Sequence, residues 1–226
     1  GREPGEALWP DRYDVDELER IKGVMVKNGG EYGWSALYQQ QPTPREGAFF
    51  RQARITIEDA QPNIKRVARG WDLAASAGKG DFTVGVKVGI DDQERLWILD
   101  VQRGQWDADE RDRVIRQTAA LDGKQCRQRL PQDPGQAGKS QTIHMIRNLQ
   151  GFPVSCKPVS GAKELRAGPA SAQIAGGNCF MVKAQWNQVM LDELRTFPLG
   201  KNDDIVDAFA DGYDELTLGS VRFGAV

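Results

Sequence analysis

The chain has 226 residues, with 30 Lys and Arg against 32 Asp and Glu, a formal charge of −2 and 39% hydrophobic residues. That length suits one compact domain with an extension. The slightly acidic balance argues against a broad basic surface that coats nucleic acid, so any such contact must run through a local patch or through bound cations.

Cys126, Cys156 and Cys179 are isolated, no CxxC pair occurs, and His144 is the single histidine. This argues against a structural zinc site and for reduced thiols. No run of about 18 apolar residues marks a membrane span and no signal-peptide pattern is present, so the chain reads as soluble and unexported.

In chain order, Asp14-Val15-Asp16-Glu17 has the form of a capping box, and Leu18, Ile21 and Met25 recur at helical spacing, which predicts a helix over 15–27. Asn28-Gly29-Gly30 stops it. Residues 35–44 form a short helical or extended piece that ends in a Pro-rich connector. Residues 1–65 therefore read as a linker or N-terminal extension, and 66–226 as the folded domain.

From Val67 the pattern changes to strands. Residues 67–72, 82–88 and 96–101 are β-rich runs separated by turns at Gly78-Lys79-Gly80 and Asp91-Asp92, which predicts an antiparallel meander of three strands. There follow a helix over 108–121 with Val114, Ile115 and Leu121 facing inward, a strand ending at Asp133, and a helix over 136–149. A strand over 154–159, a helix over 163–175, a strand over 179–182 and two closing helices complete the order. Trp186, Val189, Met190, Leu194 and Phe197 recur at helical spacing and are assigned to the core. Antiparallel strands followed by strand-helix alternation give an α/β fold with a mixed sheet.

Three acidic elements stand out against this frame. Asp72 ends the apolar run Arg69-Gly70-Trp71-Asp72-Leu73-Ala74, where a carboxylate is costly unless a cation meets it. Asp133 closes the strand before Pro134-Gly135, and Asn202-Asp203-Asp204 opens the last helix. In an open sheet with helical crossovers, ligands sit beyond the carboxyl ends of the strands, so these acids can converge. Converging carboxylates repel unless neutralised, and hard oxygen ligands select magnesium, calcium or manganese. Each also has a plainer role: Asp133 as a turn residue, Asp203 and Asp204 as charges favoured at a helix start, and Asp81 as part of the hairpin turn. Asp204, Asp207, Asp211 and Asp214 fall on one helical face that reads equally well as a solvated stripe, with only its first turn functional.

Gly135-Gln136-Ala137-Gly138-Lys139-Ser140 resembles the end of a phosphate-binding loop, yet the first glycine of GxxxxGK[ST] falls on Asp133. The segment reads better as a helix start whose N–H groups and Lys139 lie near a DNA phosphate.

Taken together, Arg69-Gly70-Trp71-Asp72-Leu73-Ala74-Ala75, Gly80-Asp81-Phe82-Thr83-Val84-Gly85-Val86, Gln132-Asp133-Pro134-Gly135 and Phe197-Pro198-Leu199-Gly200-Lys201-Asn202-Asp203-Asp204-Ile205-Val206-Asp207-Ala208 resemble the nuclease domain of a tailed-bacteriophage terminase large subunit. Order and spacing match from 66 to about 217, and many relatives carry His where this chain has Asn202. The resemblance implies a ribonuclease H-like mixed sheet, three antiparallel strands and then parallel strands, flanked by helices. It implies a two-metal endonuclease that cuts concatemeric double-stranded phage DNA during packaging. Asp72, Asp133 and Asp204 would be the catalytic and metal-binding acids, with Asp207 a neighbouring ligand and two Mg2+ or Mn2+ ions as cofactors. Lys163 and Arg166 resemble a family pair that grips DNA, although a solvated helix face explains them equally. Residues 1–65 would join the domain to an ATPase domain, and the portal protein and small terminase subunit would be partners in the host cell cytoplasm. Two alternatives stay open: a non-catalytic DNA- or partner-docking module of the same fold, and a phosphate-binding NTPase built on Gly135–Ser140.

Overall fold

The computed structural model describes residues 9, 12–29, 49–74, 82–132, 135–158 and 161–218. Two compact units divide the chain, Gly1–Ala48 and Phe49–Val226. The first contains helix α1, Val15–Gly29, whose start is held by Asp14 accepting the Glu17 N–H at 2.8 Å. The piece predicted over 35–44 lies outside the described residues, as do the hairpin turn at 78–80 and Asp81.

The second unit is built on a mixed sheet of seven strands among the described residues. The strands are β1 Thr56–Glu58, β2 Ile64–Asp72, β3 Thr83–Asp91, β4 Leu96–Gly104, β5 Cys126–Gln132, β6 Val154–Pro158 and β7 Cys179–Val182. Their spatial order is β1-β7-β4-β3-β2-β5-β6. The β2, β3 and β4 strands form the predicted antiparallel meander, while β5 joins β2, β6 joins β5, β7 joins β4 and β1 joins β7 in parallel. Helices follow the strands: α2 Ala108–Asp122, α3 Gly135–Asn148, α4 Lys163–Ala175, α5 Asn187–Thr196 and α6 Asp204–Leu218.

Strand alternation sorts the core into two layers. Ala68 of β2 and Val84, Val86 and Val88 of β3 face one side, where they are buried with Ile174 of α4, Leu194 of α5 and Phe209 of α6. Trp71 points to the other side and packs with Ile115 and Ala119 of α2, Leu130 of β5 and Met145 and Leu149 of α3. Helices α4 to α6 thus cover one face, and α2 and α3 the other.

Two expectations change. The buried positions of α2 are Ile115, Thr118, Ala119 and Asp122, whereas Leu121 is 88% exposed. Leu121 lies two residues past Ala119 and so about 200° round the helix from it, away from the buried stripe. The compact unit also starts at Phe49 rather than 66. Phe50 is fully buried between Phe197 and Phe209, with ring centroids 5.7 and 6.3 Å away, and β1 adds an edge strand beside β7. This apolar pair, Phe49-Phe50, ties the end of the extension to the core.

Candidate active site

The β2 strand is fixed from beneath. Arg69, 1% exposed, pairs with Asp122 and Asp100 at 2.7 Å each and donates to the Gly85 carbonyl at 2.8 Å. Lys87 meets the same Asp122 at 3.1 Å, and Trp71 Nε1 donates to Gln128 Oε1 at 2.9 Å. A buried guanidinium with this set of acceptors holds the strand in one register, because any slip leaves charges unpaired.

On the opposite face of the same strand, Gly70 admits α6 against the backbone. A Cβ at Gly70 would fall on the Ala208 carbonyl oxygen and the Gly212 nitrogen. Gly212 reciprocates, its own Cβ position being 3.1 Å from Gly70 N. Asp72 shares this face by strand alternation, so the two glycines bring the last helix alongside the carboxyl end of β2.

The start of α6 is placed by its neighbours. Asp204 is buried, and its Oδ2 accepts the Phe82 N–H at 3.3 Å, just ahead of β3. Asp72 pairs in register with Val84 of that strand, so Asp72 and Asp204 meet at one corner of the sheet. The free N–H groups of Ile205 and Val206 donate to Glu193 Oε1 of α5 at 2.5 and 3.1 Å. From α4, Lys163 reaches Asp203 at 2.6 Å and Asp207 at 3.2 Å, and Arg166 reaches Asp207 at 2.6 Å and Asp211 at 3.6 Å.

The electrostatics follow from this crowding. Burial pushes the Asp72 carboxyl up to about 7, and Asp207 and Asp204 add to the shift while Lys163 opposes it. Glu193 is also pushed up to about 7, first by burial and further by Asp204, against its backbone donors and Arg103. Burial raises Asp211 despite Arg129 and Arg166.

Of the residues singled out in the sequence, Asp72, Asp204 and Asp207 come together, with Lys163 and Arg166 beside them. Asp133 and the Lys139 side chain lie outside the described residues. Among the described residues, no group of three His, Cys, Asp or Glu side chains is arranged to hold a metal ion. His144 sits on α3 at the far face, its Nε2 2.7 Å from Asp112 Oδ2. Helix α3 opens at Gly135 with φ +90°.

The acidic face of α6 is not a solvated stripe. Asp204, Asp207, Asp211 and Glu215 are all buried, and only Asp214 is exposed. Glu215 is met by Ser155 at 2.7 Å, Lys157 at 3.3 Å and Arg127 at 3.5 Å. The face turns inward because cations on α4, β5 and β6 receive it.

Glu193 went unnoticed in the sequence. Its signal was an acid at an inward position between Met190, Leu194 and Phe197.

Comparison with known proteins agrees with this architecture. The family model described as the terminase RNase H-like domain matches residues 69–216, more than half of the chain. The large terminase nuclease of thermophilic phage G20c, solved with bound zinc, superposes with a TM-score of 0.57 at 18% identity, covering 75% of this chain and 99% of that one. The same nuclease with bound magnesium gives 0.57 at 17% identity over 76% and 99%. The large terminase nuclease domain of Thermus phage P74-26 gives 0.54 at 16% identity over 75% and 95%. No curated protein matches the sequence. The mixed sheet with its flanking helices is an RNase H-like fold, and the chain belongs to the terminase RNase H-like domain family.

Proposed function

We propose that the chain is a metal-dependent endonuclease that cleaves double-stranded DNA, acting on concatemeric phage DNA as the genome is packaged. The observation that carries this reading is the meeting of Asp72, at the end of β2, with Asp204 and Asp207 of α6 at one corner of the sheet.

The donors at this corner have the chemistry that a hard divalent cation takes, but the described carboxylates do not by themselves form a set arranged to hold one, so the reading needs Asp133 as a further ligand. These donors are carboxylates, and Asp72 is pushed up to about 7 first by burial and further by the neighbouring Asp207 and Asp204. Asp72, Asp204 and Asp207, with Asp133, would hold two ions, Mg2+ or Mn2+. Such ions, when bound, lower the pKa of water and offset charge on a scissile phosphate.

The chain's own groups prepare the corner. The Phe82 N–H fixes one oxygen of Asp204, and Arg166 orients Asp207 from the side of α4. Lys163, about half exposed, stands at the rim where a DNA phosphate would arrive. Lys139 is assigned a similar contact. That the phage G20c nuclease has been solved with bound zinc and with bound magnesium supports a divalent cation here. The portal protein, the small terminase subunit and an ATPase domain would be the partners in the host cytoplasm. No helix among the described residues is long and apolar enough to cross a membrane.

The test is incubation with supercoiled plasmid and Mn2+ or Mg2+, with and without chelator. Nicking and linearisation with little sequence preference is expected, because chemistry directed at phosphate reads the backbone rather than the bases. Cleavage that persists in excess chelator would refute the metal assignment.

A further inference from the structure

We infer that Glu193 is a positioning residue for the acidic corner: its carboxylate holds the first turn of α6 where Asp204 and Asp207 are presented, and so sets how tightly divalent cations are bound. This rests on the metal-dependent reading above and adds a residue to it.

A helix start leaves N–H groups without intrahelical partners, and the residue just ahead of the helix usually receives them through its own side chain. Here that residue is Asp203, whose carboxylate is engaged by Lys163 at 2.6 Å. The two N–H groups go instead to Glu193, 6% exposed, at 2.5 Å from Ile205 and 3.1 Å from Val206. The cap is therefore supplied by another helix, 12 and 13 residues earlier in the chain.

That arrangement constrains the site in a way a local cap would not. Asp204 is flanked by Asp203 on one side and by the capped Ile205 on the other, so fixing the Ile205 nitrogen fixes the backbone that carries Asp204. The Phe82 N–H, just ahead of β3, then holds Asp204 Oδ2 at 3.3 Å. Asp207, one turn on, inherits the same orientation through its N–H bond to the Asp203 carbonyl at 2.9 Å. Glu193, buried on α5, thus fixes the backbone that carries both acids. Residues that orient ligands in this way are worth roughly 10- to 100-fold in metal affinity.

The experiment titrates Mn2+ into the full chain by calorimetry and follows bound Mn2+ by electron paramagnetic resonance, with circular dichroism reporting the fold. Glu193→Ala is expected to bind Mn2+ about tenfold or more weakly than the parent. Glu193→Gln keeps an acceptor oxygen at the same reach and should restore affinity close to the parent value. Asp107→Ala is the control for a purely structural cap, since Asp107 accepts the Glu110 N–H at 2.8 Å to start α2 on the other face of the sheet. It should lower the melting temperature and leave Mn2+ affinity unchanged. Should Glu193→Ala not fold, Glu193→Asp decides, because the shortened side chain withdraws from the two N–H groups and must weaken Mn2+ binding. Parent-like affinity in the Ala or Asp variant, failure of Gln to restore it, or an equal loss in Asp107→Ala would overturn the inference. A parent chain that takes up no Mn2+ fails the nuclease reading itself.

Discussion

Asp72 is held in a state that has consequences for stability as well as chemistry. An acid whose carboxyl is raised to about 7 on folding makes the native chain bind more protons than the unfolded one between about pH 4 and 7. Its contribution is neutral below that window, becomes more unfavourable as pH rises through it, and is fully unfavourable above it. Asp72→Asn should therefore stabilise the metal-free protein by about 1 kcal/mol or more at pH 8, since one pKa unit corresponds to about 1.4 kcal/mol, and by little at pH 4. Thermal melts in chelator across this range check the sign, and an advantage independent of pH would count against the burial of Asp72 among neighbouring acids. With Mn2+ present the parent should gain stability by linkage and the variant much less. Asp72 was legible in the sequence because a carboxylate in an apolar strand is conspicuous. Glu193 was not, because its value lies in backbone N–H groups on a different helix, and no pattern of side chains announces that pairing. The depth of Asp211 and Glu215 was hidden for a related reason: their cations, Arg166 and Arg127 with Lys157, come from three separate elements.

The helix that carries Asp204 sits where it does because two glycines face each other. Gly70→Ala would place a methyl on the Ala208 carbonyl and the Gly212 nitrogen. Neither is a side chain that can swing away, so α6 must lift from β2. Overpacking of this kind costs about 1–3 kcal/mol and occasionally more, and the lift also carries Asp204 away from Asp72. A lower denaturation midpoint, together with lost nicking activity, is the expected outcome; parent-like stability would contradict the close approach. The same strand shows what a sequence gives away at this scale. Val84, Val86 and Val88 alternate with Gly85 and Lys87 and are all fully buried, a period-2 signal that local patterning shows directly. Strand β1 carries no such signal, since Thr56, Ile57 and Glu58 are all exposed and become a strand only through pairing with Phe180, Met181 and Val182. Helix positions read least well where the apolar stripe is thin: Leu121 was the natural core choice by type, yet Thr118 and Asp122 took the inward places, Asp122 because Arg69 and Lys87 require it.

At the scale of the whole unit, the question is where an independently folding chain must begin. Composition placed the boundary near 65, where strand patterning starts. The compact unit begins at Phe49, because Phe50 fills the space between α5 and α6. Two truncations separate these boundaries. A chain beginning at Phe49 keeps Phe50, Ile55 and β1, and should unfold in one cooperative transition with its response to Mn2+ intact. A chain beginning at residue 61 loses all three. Removing a buried Phe alone costs about 3–5 kcal/mol, against a total stability of about 5–15 kcal/mol for a domain of ordinary size. Phe50 also touches Phe197 and Phe209, and those two rings lie on either side of the loop that delivers Asp203 and Asp204. The shorter chain should therefore melt at a much lower temperature or without cooperativity, and should lose Mn2+ stabilisation more steeply than its residual secondary structure. Equal melting temperatures for the two truncations, read by circular dichroism with and without Mn2+, would show that Phe50 and β1 are attached to the core without supporting it, and would move the boundary back to 66.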